Sequence, residues 1–415
     1  MHFRFTFFLQ CVCKYDKLII YNLLGKDSAM TEQYFDFGIM GDGKTDDTPA
    51  LQRAINACGG FLELPAGVYL ITRTLLVPSN THLKLHPYAV MKLSGDIKRR
   101  AGEFLLSNAD ARNGNENITI EGGLWDGNCC GAYNEKPDIF TPNGWSGSMF
   151  NFHKVRNLKL CDMTVMDSAA YFFRFCELDG FDIRNIIFTG NNPRPNQDGL
   201  HFCGGCKNGY IGNIVALNGQ TNDDLIALNA DDSLRRVENL GLVNGAIENI
   251  RIENIVAEDC HTFLRMLSVD SPIRNIEIRN VRCGCRAFAI NMDAARYCRT
   301  PLFNEDDRPD GVGRIENVHI KGMVAFSTAE KTTDALICCE SNCRNVRIER
   351  FTRDFATDRT HCNLLQVRNV SDFRVVLREP TDINGSAKRT ATGLYLADKE
   401  NSLTVCGNLF SCYLN

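Results

Sequence analysis

Between residues 116 and 351 the chain repeats one short phrase of apolar and polar positions. It reads asparagine, apolar, polar, apolar, then a second asparagine or glycine and another apolar residue. It occurs as ENITIEGG at Asn117, RNLKLCDM at Asn157, DGFDIRNI at Gly180 and KNGYIGNI at Asn208. ENIRIENI at Asn249, RNIEIRNV at Asn275, ENVHIKGM at Asn317 and RNVRIERF at Asn345 continue the series. Within a phrase the apolar residues alternate, as in Ile250, Ile252 and Ile255, or Ile276, Ile278 and Val281. Period-two alternation predicts a strand with one buried face. Successive phrases lie twenty-odd residues apart, or near forty where a loop or an unmarked coil intervenes.

A repeat of that size is the mark of a solenoid. One coil is too short to bury its apolar face alone, so coils must stack with like residues above like. Asparagines at equivalent turns then form hydrogen-bonded ladders along the stack. The expected fold is all-β, a parallel β-helix of roughly ten coils.

One helix is legible, in GDGKTDDTPALQRAINACGG. Thr48 or Asp47 offers an N-cap and Pro49 suits the first turn. Leu51, Ala54, Ile55 and Cys58 make an apolar stripe, and Gly59-Gly60 stops it. Such a helix closes the open end of the first coil. Residues 1–29 read as an N-terminal extension outside the fold, with residues 30–415 forming a single β-helix domain.

Composition narrows the partners. The net charge of −4 and pI of about 6.1 give no reason to invoke nucleic acid or an anionic membrane. No apolar run approaches the roughly 18 residues of a membrane span. The 19 cysteines are odd in number, so one chain cannot pair them all. They read best as small apolar core residues in a reducing compartment. With no convincing signal peptide, the expectation is a cytoplasmic protein, and secretion is the alternative. No cofactor or metal is called for, and oligomeric state is left open.

The chemistry concentrates in two segments one coil apart: Asp198 in NQDGLHF, then Asp223 and Asp224 in NDDLIALN. Stacking places these three carboxylates side by side. Acids so close repel, and at least one is expected to hold its proton near neutral pH. A protonated acid beside ionised ones is the equipment for cleaving a glycosidic bond, so a carbohydrate substrate follows. A turn capped by the two aspartates is the bland alternative. Arg265, about two coils on, is suited to lower a neighbouring aspartate's pKa or to clamp a sugar carboxylate. Arg174 is a similar candidate, and Tyr171 one for stacking on a sugar. Alternation turns His201 away from Leu200 and Phe202, toward a solvent-facing role in the groove. His261 is a further candidate, and Asp231 and Asp232 read as a solvated loop.

The segment FDFGIMGDGKTDDTPALQRAINACGGFLELPAGVYLI resembles the N-terminal cap of pectate-lyase-like β-helix proteins. From about residue 34 to 375 the chain resembles the polygalacturonase family, glycoside hydrolase family 28. The resemblance implies a right-handed, single-stranded parallel β-helix that hydrolyses pectic polysaccharides with inversion. The family's Asn-Thr-Asp is matched by Asn196-Gln197-Asp198, and its Asp-Asp by Asp223 and Asp224. By resemblance Asp223 is the general acid, while Asp198 and Asp224 hold and activate water. Arg265, Arg174, His201, Tyr171, Asn196 and His261 are the implied substrate-binding set. The family's Gly-His-Gly has no counterpart; NADDSLRRVENLGLVNGA stands there instead, and Leu267 replaces the lysine of Arg-x-Lys. The alternatives are a Ca²⁺-dependent polysaccharide lyase or uronate epimerase, and a carbohydrate-binding β-helix without turnover.

Overall fold

The computed structural model describes residues 37–397 and 403–406, apart from 96, 98–101, 130–143, 233–242, 296–302, 333, 361, 369 and 378–393. The extension expected at 1–29 lies outside the described residues. From Met40 onward the chain builds two long parallel sheets, one of 14 strands and one of 11. Successive strands contribute alternately to the two, so each coil adds a strand to both sheets and pairs with its counterparts one coil away. This is a parallel β-helix.

Like residues do stack upon like. Ile250, Ile252 and Ile255 lie opposite Ile276, Ile278 and Val281 in one direction, and opposite Gly209, Ile211 and Ile214 in the other. All six of the first two sets are buried. The step of three from Ile252 to Ile255 contains Asn254 at φ 59°. That left-handed residue bends the long strand and returns the next apolar side chain to the core. It also explains why asparagine and glycine alternate at this position, since both tolerate positive φ.

Two asparagine ladders run along the long sheet. Asn249 Nδ2 donates to Asn208 Oδ1 at 3.0 Å, Asn275 to Asn249 at 2.9 Å, Asn317 to Asn275 at 3.2 Å and Asn345 to Asn317 at 2.8 Å. The second ladder links Asn280, Asn254, Asn213 and Asn185 in the same way. Both are exposed.

The cap helix spans Thr48–Ala57 and buries Thr48, Ala50, Leu51, Ala54 and Ile55. Asp47 occupies the N-cap position but makes no side-chain cap bond. Its carboxylate instead accepts the N–H groups of Met40 and Gly41, at 2.7 and 3.1 Å, and so ties down the preceding loop. Of the 13 cysteines described as free, all but Cys58 are buried. Among the described residues no helix is long and apolar enough to cross a membrane.

Candidate active site

The candidate residues sit on the sheet of short strands. Phe173–Cys176, Leu200–Phe202, Asp224–Asn229, Thr262–Leu267 and Ile290–Asp293 lie side by side in that order. Phe173, Leu200, Ile226, Leu264 and Ile290 form one inward row, and Phe175, Phe202, Leu228, Met266 and Met292 another. Between them runs the outward row Asn151, Arg174, His201, Ala227, Arg265 and Asn291. Alternation therefore places three cationic side chains on one line of the outer face.

Asp198 precedes one of these strands and Asp224 opens the next. The two meet because Gly199 allows it: its N–H bonds Asp224 O at 2.9 Å. A Cβ at Gly199 would stand 2.6 Å from Leu225 O, closer than contact allows. The carboxylates of Asp198, Asp223 and Asp224 then share one electrostatic neighbourhood. Asp223 raises the pKa of both others through its charge.

Asp198 is buried, and burial followed by the Asp223 charge pushes its carboxyl up to about 6, against the opposing bond from His201. His201 Nδ1 stands 2.6 Å from Asp198 Oδ2, and its Nε2 2.9 Å from Asp232 Oδ2. Burial works against a charged ring, but the bonds to the two aspartates outweigh it and raise His201 to about 10. Tyr171 stacks on that ring at 4.2 Å.

Asp224 is organised in parallel. Burial, then the charge of Asp223, holds its carboxyl well above the usual range. Its buried Oδ2 has no hydrogen bond and lies 3.5 Å from Arg265 Nη1. Arg265 is itself fixed by Asp293, whose Oδ2 accepts Nε at 3.0 Å and Nη2 at 2.6 Å. Asp293 Oδ1 accepts Ala295 N–H at 2.6 Å. Each buried acid is thus backed by a cation that a further carboxylate holds in place.

Asp223 differs from its neighbours. Its side chain is 29% exposed, against 5% for Asp198 and 4% for Asp224, so it is the member that meets solvent. His261 Nδ1 lies 3.8 Å from Asp223 Oδ1, and burial lowers the pKa of its ring. Arg286 secures the turn, donating to Asn222 Oδ1 at 2.7 Å and Asp259 O at 2.7 Å.

Several expectations are corrected here. His201 faces outward as alternation predicts, yet it is fully buried, because Tyr171 and Asp232 cover it. Tyr171 is buried against His201 and unavailable to a sugar. Arg174 is 1% exposed and donates to Asn151 Oδ1 at 2.8 Å, so it braces the sheet and does not reach the groove. Asp231 and Asp232 are not a solvated loop: both are fully buried. Asp231 Oδ2 accepts the N–H groups of Val269, Asp270 and Ser271, each at 2.7 Å. Asn196 is half-buried at φ 61° in the loop before Asp198. Gln197 anchors that loop through Ser168 O at 2.5 Å. Leu267, at the position of the family's lysine, joins a buried cluster with Val269, Ala294, Ala295, Phe303 and Val312.

Asp293 and Arg286 are no part of the sequence-predicted set, and Asp232 enters it only as a solvated loop residue. No local motif marks them, since each is brought to the site from another coil or loop. As to metals, one donor atom each from Asp223, Asp224 and His261 lie within 4.8 Å of one another, a set able to hold a divalent ion. His201, Cys203 and Asp232 are equally close, but both His201 nitrogens already face carboxylates and offer no lone pair.

Comparison with known proteins agrees with this architecture. The family model described as rhamnogalacturonase A/epimerase, pectate lyase-like, matches residues 35–291. A polygalacturonase of Persea americana is 25% identical over 213 residues, covering 48% of this chain and 44% of that one. The preneck appendage protein of Bacillus phage PZA is 32% identical over 152 residues, 35% of this chain and 16% of that one. The matched segments thus span less than half the length of these two relatives. Among solved structures, the family 28 exopolygalacturonase of Yersinia enterocolitica superposes with a TM-score of 0.56 at 18% identity, covering 92% of this chain and 76% of that one; this likeness is one of fold. With the family model matched over more than half its length, the chain belongs to the rhamnogalacturonase A/epimerase family of pectate-lyase-like proteins.

Proposed function

We propose that this protein is an inverting glycoside hydrolase acting on a pectin-like or other plant-derived poly- or oligosaccharide. The observation that carries the reading is the trio at 198, 223 and 224, with two acids buried and backed by cations and the third exposed. Inversion needs an acid at the leaving oxygen and a carboxylate activating water, roughly 6.5–9.5 Å apart. Asp223 is the member placed to protonate a leaving group. Asp198 and Asp224 take the water. The proton belongs to the coupled group, and Asp224, whose carboxyl burial holds well above the usual range, keeps it until substrate draws it to Asp223. Burial of Leu267 removes one of the family's carboxylate-reading positions, so the sugar is held differently from galacturonate in a polygalacturonase. A polymeric substrate of this kind is too large to enter a cell, which suits an extracellular site of action, the alternative to the cytoplasm.

The test is digestion of a polysaccharide panel with NMR of the fresh product. Inverted anomeric configuration is expected; a retained anomer, or no turnover on any glycan, removes the reading. Asp223→Asn is expected to lower kcat about 10²–10⁴-fold while leaving the fold intact.

One observation favours a second reading. The metal-capable set Asp223, Asp224 and His261 suits a cation-dependent lyase or epimerase, with Arg265 as the base. Against it, the two bonds from Asp293 hold Arg265 as a guanidinium, which gives up its proton reluctantly. An unsaturated product absorbing in the ultraviolet, formed only with added divalent ion, would establish this second chemistry.

A further inference from the structure

Both ring nitrogens of His201 meet carboxylates, Asp198 on one side and Asp232 on the other. A neutral imidazole carries one N–H and one lone pair, so it satisfies only one of two ionised neighbours; the imidazolium satisfies both. The other groups around the ring suit the charged form. Tyr171 lies flat on it at 4.2 Å, a face that attracts a cation. Asn229 Nδ2 is 3.3 Å from Asp232 Oδ2 and helps to keep that carboxylate in position. Arg174 sits beside His201 in the outward row, but it is turned to Asn151. Arg265 lies two strands away and acts on Asp198 as well as Asp224. Asp224 also feels the charge of the ring, and Cys203 is a further titratable neighbour among the described residues. Asp232 comes from the loop that stands where the family carries Gly-His-Gly. In this chain that loop supplies a carboxylate to a histidine already present on the preceding coil.

We propose that Asp232 is a positioning residue: it holds His201 as an imidazolium, whose other N–H keeps Asp198 ionised and aimed at the attacking water. The charge state stands on geometry alone, whereas the role of the water rests on the hydrolase reading above.

The experiment is NMR of the full-length protein with ¹⁵N-labelled histidine and ¹³C-labelled aspartate, on wild type and Asp232→Asn. In wild type, His201 is expected to keep both nitrogens protonated from about pH 5 to about pH 8. In the variant one nitrogen should lose its proton inside that window, and the Asp198 carboxyl should titrate about one pH unit higher or more. With a cleaved glycan in hand, the acid limb of kcat/KM should move up by the same amount, with KM little changed. A neutral His201 at pH 7 in wild type overturns the proposal and needs no variant, so a poorly folding Asp232→Asn does not shield it. An Asp198 titration that ignores the substitution overturns it too, even if activity falls. Both spectroscopic shifts without turnover on any glycan would uphold the charge relay and count against the hydrolase reading alone.

Discussion

The asparagine ladders and the acid site are both stacks of polar side chains, one residue per coil, on opposite sheets of the same solenoid. The ladders are homotypic and exposed. Asn249, Asn275, Asn317 and Asn345 each donate to the equivalent residue below, ending on Asn208, and what the ladder leaves over is open to solvent. The site is heterotypic and buried. Its row runs Asn151, Arg174, His201, Ala227, Arg265, and the chemistry changes from each level to the next. Ladder rungs can be exchanged among asparagine, glycine and aspartate with modest loss, because each bond is neutral and open to solvent. Removing one member of the site strands a buried charge, which is far costlier.

Substitutions should separate the two regions sharply. Asp293→Ala removes the two bonds that fix Arg265, and is expected to cost about 3–5 kcal/mol in urea unfolding. A loss below that of a ladder rung would show that the site's ion pairs are more solvated than the burial of Asp293 implies. Asn254→Ala removes two ladder bonds and puts at φ 59° a residue that tolerates the left-handed region less well than asparagine, and should cost about 1–2 kcal/mol. Asn254→Gly keeps the backbone conformation and should cost less than the alanine. Equal losses for the two would mean that the bonds, and not the left-handed backbone, set the value of a rung.

The gentlest effect is one of pH. Asp198 is raised from 3.8 to about 6 in the folded protein. Its protonation therefore favours folding fully below pH 3.8, and that contribution is lost as the pH rises through 6. His201, raised from 6.5 to about 10, contributes fully below 6.5 and loses its contribution as the pH climbs toward 10. Stability should thus decline gradually from mildly acid to alkaline conditions. Asp198→Asn should flatten the part between about pH 4 and pH 6, while Asn254→Ala should shift the whole curve down without changing its slope. A ladder variant that altered the slope would show that the two regions are electrostatically linked.

The legibility of the two regions differs for the same reason. A ladder announces itself because the phrase recurs, and each recurrence is an independent witness to the register. The acid trio was legible because Asp198 and the Asp223-Asp224 pair lie one coil apart on phrases already recognised. Arg265 and His201 were visible as members of the outward row. Their orientation toward Asp293 and Asp232 was not, because those partners lie 28 and 31 residues away and belong to no repeat. Exposure was misjudged at Tyr171, Arg174 and His201. Alternation reports which face of a strand a side chain leaves from, and says nothing of what loop then covers it.

The sequence by itself determined the solenoid, its cap helix and the coils that carry the acids, since alternation, repeat length and turn chemistry are local and repeated. Only the tertiary structure decided which acids are buried, which cation backs each and which one reaches solvent. Those properties depend on single contacts between coils and loops, where one buried charge and its partner outweigh any preference encoded along the strand.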